Sequence, residues 1–225
     1  MRAKNNAPPK SLRPRVLLVD DHAIVREGFA EVINANGGLE VCGEAGSAPE
    51  AMDAVKKLKP DAVIVDLSLH GGSGLDLIKN LKTLHPALPI LVLSMHDESI
   101  YAERALRAGA LGYVMKRQDS ATLLRAIHEV LRGQVFLSQP MREQMLQKVV
   151  GGGVAAKATS TAHLTDREIE VLQLIGEGRT TAQIARKLHL SVSTVETHRA
   201  HLKQKLNVCN SPELARAAVE WVNAH

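Results

Sequence analysis

Aromatic side chains are scarce: Phe29, Tyr101, Tyr113, Phe136 and Trp221 are the whole set in 225 residues. A single-strand nucleic-acid binder that stacks successive bases on aromatic platforms is therefore excluded. Cysteine is scarcer still, with only Cys42 and Cys209. Two cysteines so far apart form neither a disulfide framework nor a metal-ligand cluster, and a reducing cytoplasm is the expected setting. Long apolar runs are missing too. None approaches the roughly 20 residues that cross a bilayer, so no membrane partner is expected. Residues 1–14 hold Pro8, Pro9 and Pro14 but no apolar stretch of the kind a secretory signal needs, and they read as a disordered basic leader.

What is present is unevenly spread. The formal net charge is +4, yet the first fifteen residues alone carry five Lys/Arg and no acid, while Val16 to Ala158 is slightly acidic. Bulk charge is thus weak evidence for a nucleic-acid partner. The informative concentration is Arg179 to Lys205, with six Lys/Arg against the single acid Glu196.

From Val16 onward, apolar strand-like runs alternate with segments of helical period. The strands are Val16 to Val19, a weaker Glu40 to Glu44, Ala62 to Val65, Ile90 to Leu93 and Gly112 to Met115. Helices are predicted over His22 to Asn34, Pro49 to Leu58, Gly74 to Leu84, Glu98 to Ala108 and Ser120 to Leu131. Strict β-α alternation with short connections argues for a parallel sheet covered on both faces, here over residues 15–133. Residues 134–161 read as a linker holding a helical segment, about Met141 to Val149, and a Gly/Ala/Ser/Thr-rich stretch that buries no core. Residues 162–225 carry no strand signal and read as four helices. Capping boxes are expected at Thr165 to Glu168 and Ser193 to Glu196, and Pro212 sits at the start of the last helix.

The ends of the strands carry the chemistry. Asp20-Asp21 follows the first, Asp66 the third, Ser94 closes the fourth and Lys116 follows the fifth. In an open parallel sheet these groups emerge at one rim, where ligands collect. Any one of them alone is more often a helix cap, a turn hydroxyl or a surface lysine; five at the ends of four strands form a constellation. Crowded carboxylates call for a hard divalent cation, and Mg²⁺ binds through one or two carboxylates while keeping positions for phosphate oxygens. Asp66 is then the nucleophile, with Lys116 and Ser94 suited to the phosphoryl group.

Over about Arg15 to Gly133, these residues together with Tyr113 resemble the receiver domain of two-component response regulators. The resemblance implies a flavodoxin-like strand order, 2-1-3-4-5, with Asp66 as phosphoacceptor and Mg²⁺ held by the pair Asp20 and Asp21, by Asp66 and by the backbone carbonyl of Ser68. It implies catalytic or switch roles for Lys116, Ser94 and Tyr113, the Tyr113 ring turning inward when Ser94 is drawn to the phosphoryl group. His70 and Arg117 stand where receivers often carry proline. His96 is read as a solvated loop histidine.

In the third C-terminal helix, Val195, Leu202 and Leu206, with His198 between them, share one side, and Ser193, Glu196, Thr197 and Ala200 lie opposite, flanked by Arg199 and Lys203. A short helix, a tight turn and a polar-faced helix place a recognition helix in a major groove. Leu164-Thr165-Asp166-Arg167-Glu168-Ile169, Ile184-Ala185 and Leu190-Ser191-Val192-Ser193-Thr194-Val195-Glu196-Thr197-His198 resemble the four-helix DNA-binding domain of LuxR-type regulators. Together the two halves resemble a response regulator of the NarL/FixJ class. The resemblance implies double-stranded DNA contacts from Thr181, Ser193, Thr194, Glu196, Thr197, Arg199, Ala200 and Lys203, a sensor histidine kinase as phosphodonor and a homodimer through the last helix. RNA polymerase is a further expected partner. Two rival readings stay open. One is a metal-assisted phosphohydrolase built on Asp66, for which only His96 offers a base; the other is a DNA-binding or protein-interaction module whose receiver no longer switches.

Overall fold

The computed structural model describes residues 13–35, 38–69, 72–150 and 164–223. The first strands and helices are β1 (Arg15–Val19), α1 (Ala23–Ala35), β2 (Glu40–Ala45), α2 (Ala48–Leu58) and β3 (Ala62–Val65). After a two-stranded ribbon, β4 (Ser68–Leu69) with β5 (Gly72–Ser73), come α3 (Gly74–Leu84), β6 (Ile90–Ser94), α4 (Glu98–Ala108), β7 (Gly112–Met115) and α5 (Ser120–Leu131). The main sheet is parallel throughout, in the order β2-β1-β3-β6-β7. With the ribbon set aside this is the expected 2-1-3-4-5.

Burial explains the strands. Val16 to Val19 and Ala62 to Val65 are buried without a break, as strands covered on both faces must be. Alternate side chains then divide between two cores. Leu17, Val19, Val63, Val65 and Val92 meet Ala51, Val55, Leu77, Ile78 and Ala105 on one face. Val16, Leu18, Ile64, Leu91 and Val114 meet Ile33, Leu123, Ile127 and Val130 on the other. Each Val, Leu or Ile among them contributes about 1.5–3 kcal/mol. Side-chain caps from Ser47, Ser73, Asp97 and Asp119 start α2 to α5 and leave the helix ends where the sequence puts them.

The ribbon pairs Ser68 with Ser73 and Leu69 with Gly72, two short strands that the sequence reading did not assign. The beginning of the expected linker departs from expectation. Phe136 forms a parallel bridge to Gly112, extending the sheet edge, and the Arg125 guanidinium lies 5.4 Å from its ring centroid. Glu98 accepts the Ser138 N–H at 2.9 Å, and α6 (Gln139–Val150) begins two residues earlier than predicted. The leader through residue 12, the Gly/Ala/Ser/Thr-rich stretch at 151–161 and His70 lie outside the described residues.

The C-terminal unit is helical: α7 (Asp166–Gly176), α8 (Thr181–Lys187), α9 (Val192–Lys205) and α10 (Ser211–Asn223). The Thr165–Glu168 capping box is present, and a second one, Thr180 with Gln183, opens α8. The expected box at Ser193 is not formed. α9 starts earlier, capped by the Ser191 hydroxyl on the Thr194 N–H, after a turn in which His189 takes a left-handed φ of 52°. Ile169, Leu172, Ile184, Val195, Leu202 and Leu214 fill the small core.

Glu168 is only 2% exposed and receives the Lys205 ammonium at 2.7 Å. Burial pushes its carboxyl up, but Lys205 and the Thr165 cap outweigh this and hold it below the ordinary glutamate value. A depressed acid contributes stability above its unfolded value, and that contribution is lost as pH falls through the folded one. Lys205→Met is expected to cost roughly 1.5–3 kcal/mol near neutrality, the worth of a hydrogen bond to a charged group, and less in acid. Urea unfolding at two pH values checks this.

Candidate functional site

The sheet register brings the acids together. Val19 pairs with Val65, and Val65 with Val92, so Asp20 and Asp66 follow in the same row at one rim. Ser94 pairs with Met115, which puts Lys116 one residue further at that rim. The Asp66 N–H is donated to the Val19 carbonyl at 2.9 Å, and the Lys116 N–H to the Ser94 carbonyl at 2.8 Å, so backbone hydrogen bonds fix both positions. Asp20, Asp66 and Ser94 are all buried.

Lys116 Nζ donates to Asp66 Oδ2 at 2.6 Å and lies 2.5 Å from Asp20 Oδ2. Its side chain is 7% exposed. Burial pulls this ammonium toward neutrality, yet the two carboxylates prevail and its pKa is raised, so it stays charged. Burial pushes Asp66 up, only partly offset by Lys116 and reinforced by Asp20. One lysine thus leaves Asp66 short of positive charge. Asp66 Oδ1 is buried without a hydrogen-bond partner, and ligand atoms of Asp20, Asp21, His22 and Asp66 lie within 4.8 Å of one another. This donor set fits a hard divalent cation. His22, absent from the sequence-derived ligand set, has Nδ1 2.6 Å from Asp21 Oδ1.

Ser94 Oγ accepts the His96 N–H at 3.3 Å. Tyr113 is 1% exposed, with its hydroxyl donating to the His96 carbonyl at 2.9 Å. Its ring is therefore inward, and burial raises its phenol well above the ordinary value. His96 is not the solvated loop histidine expected. Its Nε2 is 2.9 Å from Ser68 Oγ, its ring centroid is 4.7 Å from that of Tyr101, and burial holds its imidazole below the usual range. Arg117 reaches Asp97 at 3.9 Å.

On α9, Ser193, Glu196, Thr197 and Ala200 are exposed, as a reading face requires, while Val195 and Leu202 are buried. Thr194 and Lys203 are half-buried. The Arg199 side chain is only 15% exposed and lies 3.7 Å from Glu196. Glu196 is not consumed by a capping box; it accepts the Thr181 hydroxyl at 2.8 Å, tying α8 to α9.

The two halves touch away from that face. Arg104 on α4 donates to Asp166 at 2.8 Å and to the Leu164 carbonyl at 3.0 Å. Beside this contact a cleft of about 840 Å³ has Asp66, Ser68 and Lys116 on one wall and Arg167, Glu170 and Lys187 on the other. Sequence reasoning missed these contacts. Arg104 and Asp166 are 62 residues apart, and no periodicity relates them.

Comparison with known proteins agrees with this geometry. The family described as response regulator receiver domain matches residues 16–128, and bacterial regulatory proteins of the luxR family match residues 162–218. The chain is 36% identical over 210 residues to the oxygen regulatory protein NreC of Staphylococcus carnosus, covering 92% of this chain and 97% of the relative. Among solved structures, ChrA, the response regulator of a heme-sensing two-component system, is 30% identical, with a TM-score of 0.51 over 93% of this chain and 98% of that one. RcsB of Salmonella enterica serovar Typhimurium, bound to promoter rprA with the phosphomimetic BeF3-, is 28% identical, with a TM-score of 0.59 over 91% and 97%.

Proposed function

Because this chain belongs to the two-component response regulators that join a receiver to a LuxR-type DNA-binding domain, we propose that phosphorylation of Asp66 switches its binding to double-stranded DNA. The observation that carries the reading is the buried pairing of Lys116 with Asp20 and Asp66 while Asp66 Oδ1 has no partner. One carboxylate oxygen is held and the other is free to attack phosphorus.

The phosphoryl group comes from a histidine of a sensor kinase. Asp66 forms the new oxygen–phosphorus bond as the nitrogen–phosphorus bond breaks, the electron pair and then a proton going to the imidazole. Asp20, Asp21, Asp66 and the Ser68 carbonyl hold Mg²⁺, which when bound offsets the charge crowded at this rim and on the phosphoryl oxygens. Lys116 neutralises the acyl phosphate and the Ser94 hydroxyl donates to it. Tyr113 is buried and donates its hydroxyl to the His96 carbonyl, two residues beyond Ser94, so its part in the switch runs through that hydrogen bond.

The receiver spans 15–133 and the DNA-binding domain 162–225, with a leader before and a linker between. Glu196, Thr197 and Ala200 face base edges, and Thr181, Ser193, Thr194, Arg199 and Lys203 lie near phosphates. The chain pairs with a second copy through α10, which exposes Val219, works in the cytoplasm and meets RNA polymerase at its promoters. Against the phosphohydrolase reading, its family consists of DNA-binding regulators, and His96 is engaged with Ser68 rather than free to activate water.

The test is DNA affinity with and without a phosphoryl mimic. Fragments selected from a random pool are expected to bind the beryllofluoride-loaded chain roughly tenfold more tightly, about 1.4 kcal/mol, within the usual range for coupling between two sites. Equal affinity in the two forms would leave the constitutive module as the better account.

A further inference from the structure

One donor at the acidic rim is not an oxygen. His22 follows Asp20-Asp21 where the chain turns from β1 into α1. Its N–H is donated to Asp20 Oδ1 at 2.9 Å and its carbonyl accepts the Arg26 N–H at 3.0 Å, so its backbone is held on both sides. The imidazole is 63% exposed, with Nδ1 2.6 Å from Asp21 Oδ1 and 3.5 Å from Asp20 Oδ1. Those separations bracket the roughly 3 Å between neighbouring ligand atoms of an octahedral ion at bond lengths of about 2.1 Å. The oxygens around it are unequally free. Asp20 Oδ2 takes the Lys116 ammonium and Asp20 Oδ1 the His22 N–H. Asp66, only 3% exposed, keeps Oδ1 with no hydrogen-bond partner at all. A buried carboxylate oxygen left so needs a cation, and Asp20 has less to give that cation than Asp66 does.

Given that Asp66 and its neighbours hold a divalent cation, we propose that His22 Nδ1 is a further ligand beside Asp21 and Asp66, and that it turns the site's preference from Mg²⁺ toward ions that accept nitrogen. Mg²⁺ takes oxygen ligands and gives up its water reluctantly. Imidazole suits later first-row ions, whose affinity for a mixed nitrogen and oxygen site climbs from Mn²⁺ through Co²⁺ to Ni²⁺. The imidazole must shed its proton at Nδ1 to ligate, and being exposed it does so without disturbing the core. Two carboxylates and one imidazole leave other positions of the ion open, so a phosphoryl oxygen can still reach it.

The test pairs calorimetric titration of the full chain, by Mg²⁺ and by Ni²⁺, with pulsed electron paramagnetic resonance of the Mn²⁺-loaded chain. Only binding that excess Mg²⁺ displaces and Asp66→Asn weakens is counted, which sets the other histidines aside. A nitrogen coupling to Mn²⁺ is expected in the parent and is lost in His22→Ala. The same variant is expected to weaken Ni²⁺ at least roughly tenfold, the least that even an outer partner of a metal ligand is worth, and Mg²⁺ less than roughly twofold. No nitrogen coupling in the parent, or equal losses of Ni²⁺ and Mg²⁺ in His22→Ala, overturns the ligand role: His22 then only holds Asp21, and the cation site stands. Absence of any Asp66-dependent divalent binding in the parent overturns the cation site and the part of His22 in it.

Discussion

A chain carrying Asp66→Asn is expected to take up no detectable phosphoryl group from a small phosphodonor, and at neutral pH to be more stable than its parent. The loss follows from chemistry, because an amide oxygen next to Lys116 keeps the shape of the carboxylate but not its nucleophilicity. The gain follows from electrostatics. Burial and the neighbouring Asp20 raise the Asp66 carboxyl above its unfolded value despite Lys116. For an acid with a raised folded value, ionisation costs stability, and the cost is fully present above the folded value. It fades as pH falls from there toward the ordinary aspartate value. The neutral amide removes it at every pH.

Divalent cation reverses the comparison. Mg²⁺ held by the acids stabilises the parent by mass action, about 2.7 kcal/mol at a hundredfold excess over Kd. The variant, having lost a charged ligand, responds less. Thermal unfolding with and without Mg²⁺ checks both signs. A variant that gains as much from Mg²⁺ as the parent would place the cation elsewhere.

The second large effect is expected from Gly74→Ala, which touches no reacting group. A Cβ at this position would lie 2.2 Å from the Asp66 carbonyl oxygen and 2.6 Å from the Leu67 Cα. These are backbone atoms of the phosphoacceptor turn, so the clash cannot be relieved by a flexible side chain. Overpacking of this kind costs about 1–3 kcal/mol. The turn that carries Asp66 must also move, and phosphate uptake is expected to fall at least roughly tenfold, since a misplacement of about 1 Å can cost a hundredfold. Gly28→Ala is the control. Its Cβ meets nothing within 4 Å in the middle of α1, and there alanine is expected to stabilise by roughly 0.8–1 kcal/mol.

These two substitutions separate what was legible in the sequence from what was not. The alternation of apolar runs with helical periods located the five sheet strands, because a strand buried on both faces cannot hide its composition. Alternation argued for a parallel sheet and the family resemblance supplied its strand order; the register that brings Asp20, Asp66, Ser94 and Lys116 to one rim is seen in the structure. Helical period placed α3 to α5 as they are found, and the Ser73, Asp97 and Asp119 caps account for where they start. At the start of α9 local sequence misled: a capping box was expected at Ser193, and the Ser191 hydroxyl caps the helix instead. The pinning of Gly74 against Asp66 was invisible, because closeness of backbone to backbone leaves no periodic trace. The same holds for Arg104 with Asp166. That pair joins the receiver to the C-terminal helices, and side-chain type alone does not encode which surfaces meet. Tyr113 is a different case. Its place in β7 was readable, but its inward ring depends on the hydrogen bond to the His96 carbonyl.

The central claim is that acids, hydroxyl and amine from four strands form one cation-dependent phosphoacceptor. The most direct measurement exposes the full chain to acetyl phosphate, with Mg²⁺ or with a chelator, and then locates the modified residue by reductive trapping and peptide mass analysis. One labelled position, Asp66, formed with Mg²⁺ and absent with chelator, is the predicted result. Label on any other residue, or equal label in the chelated sample, would contradict the account.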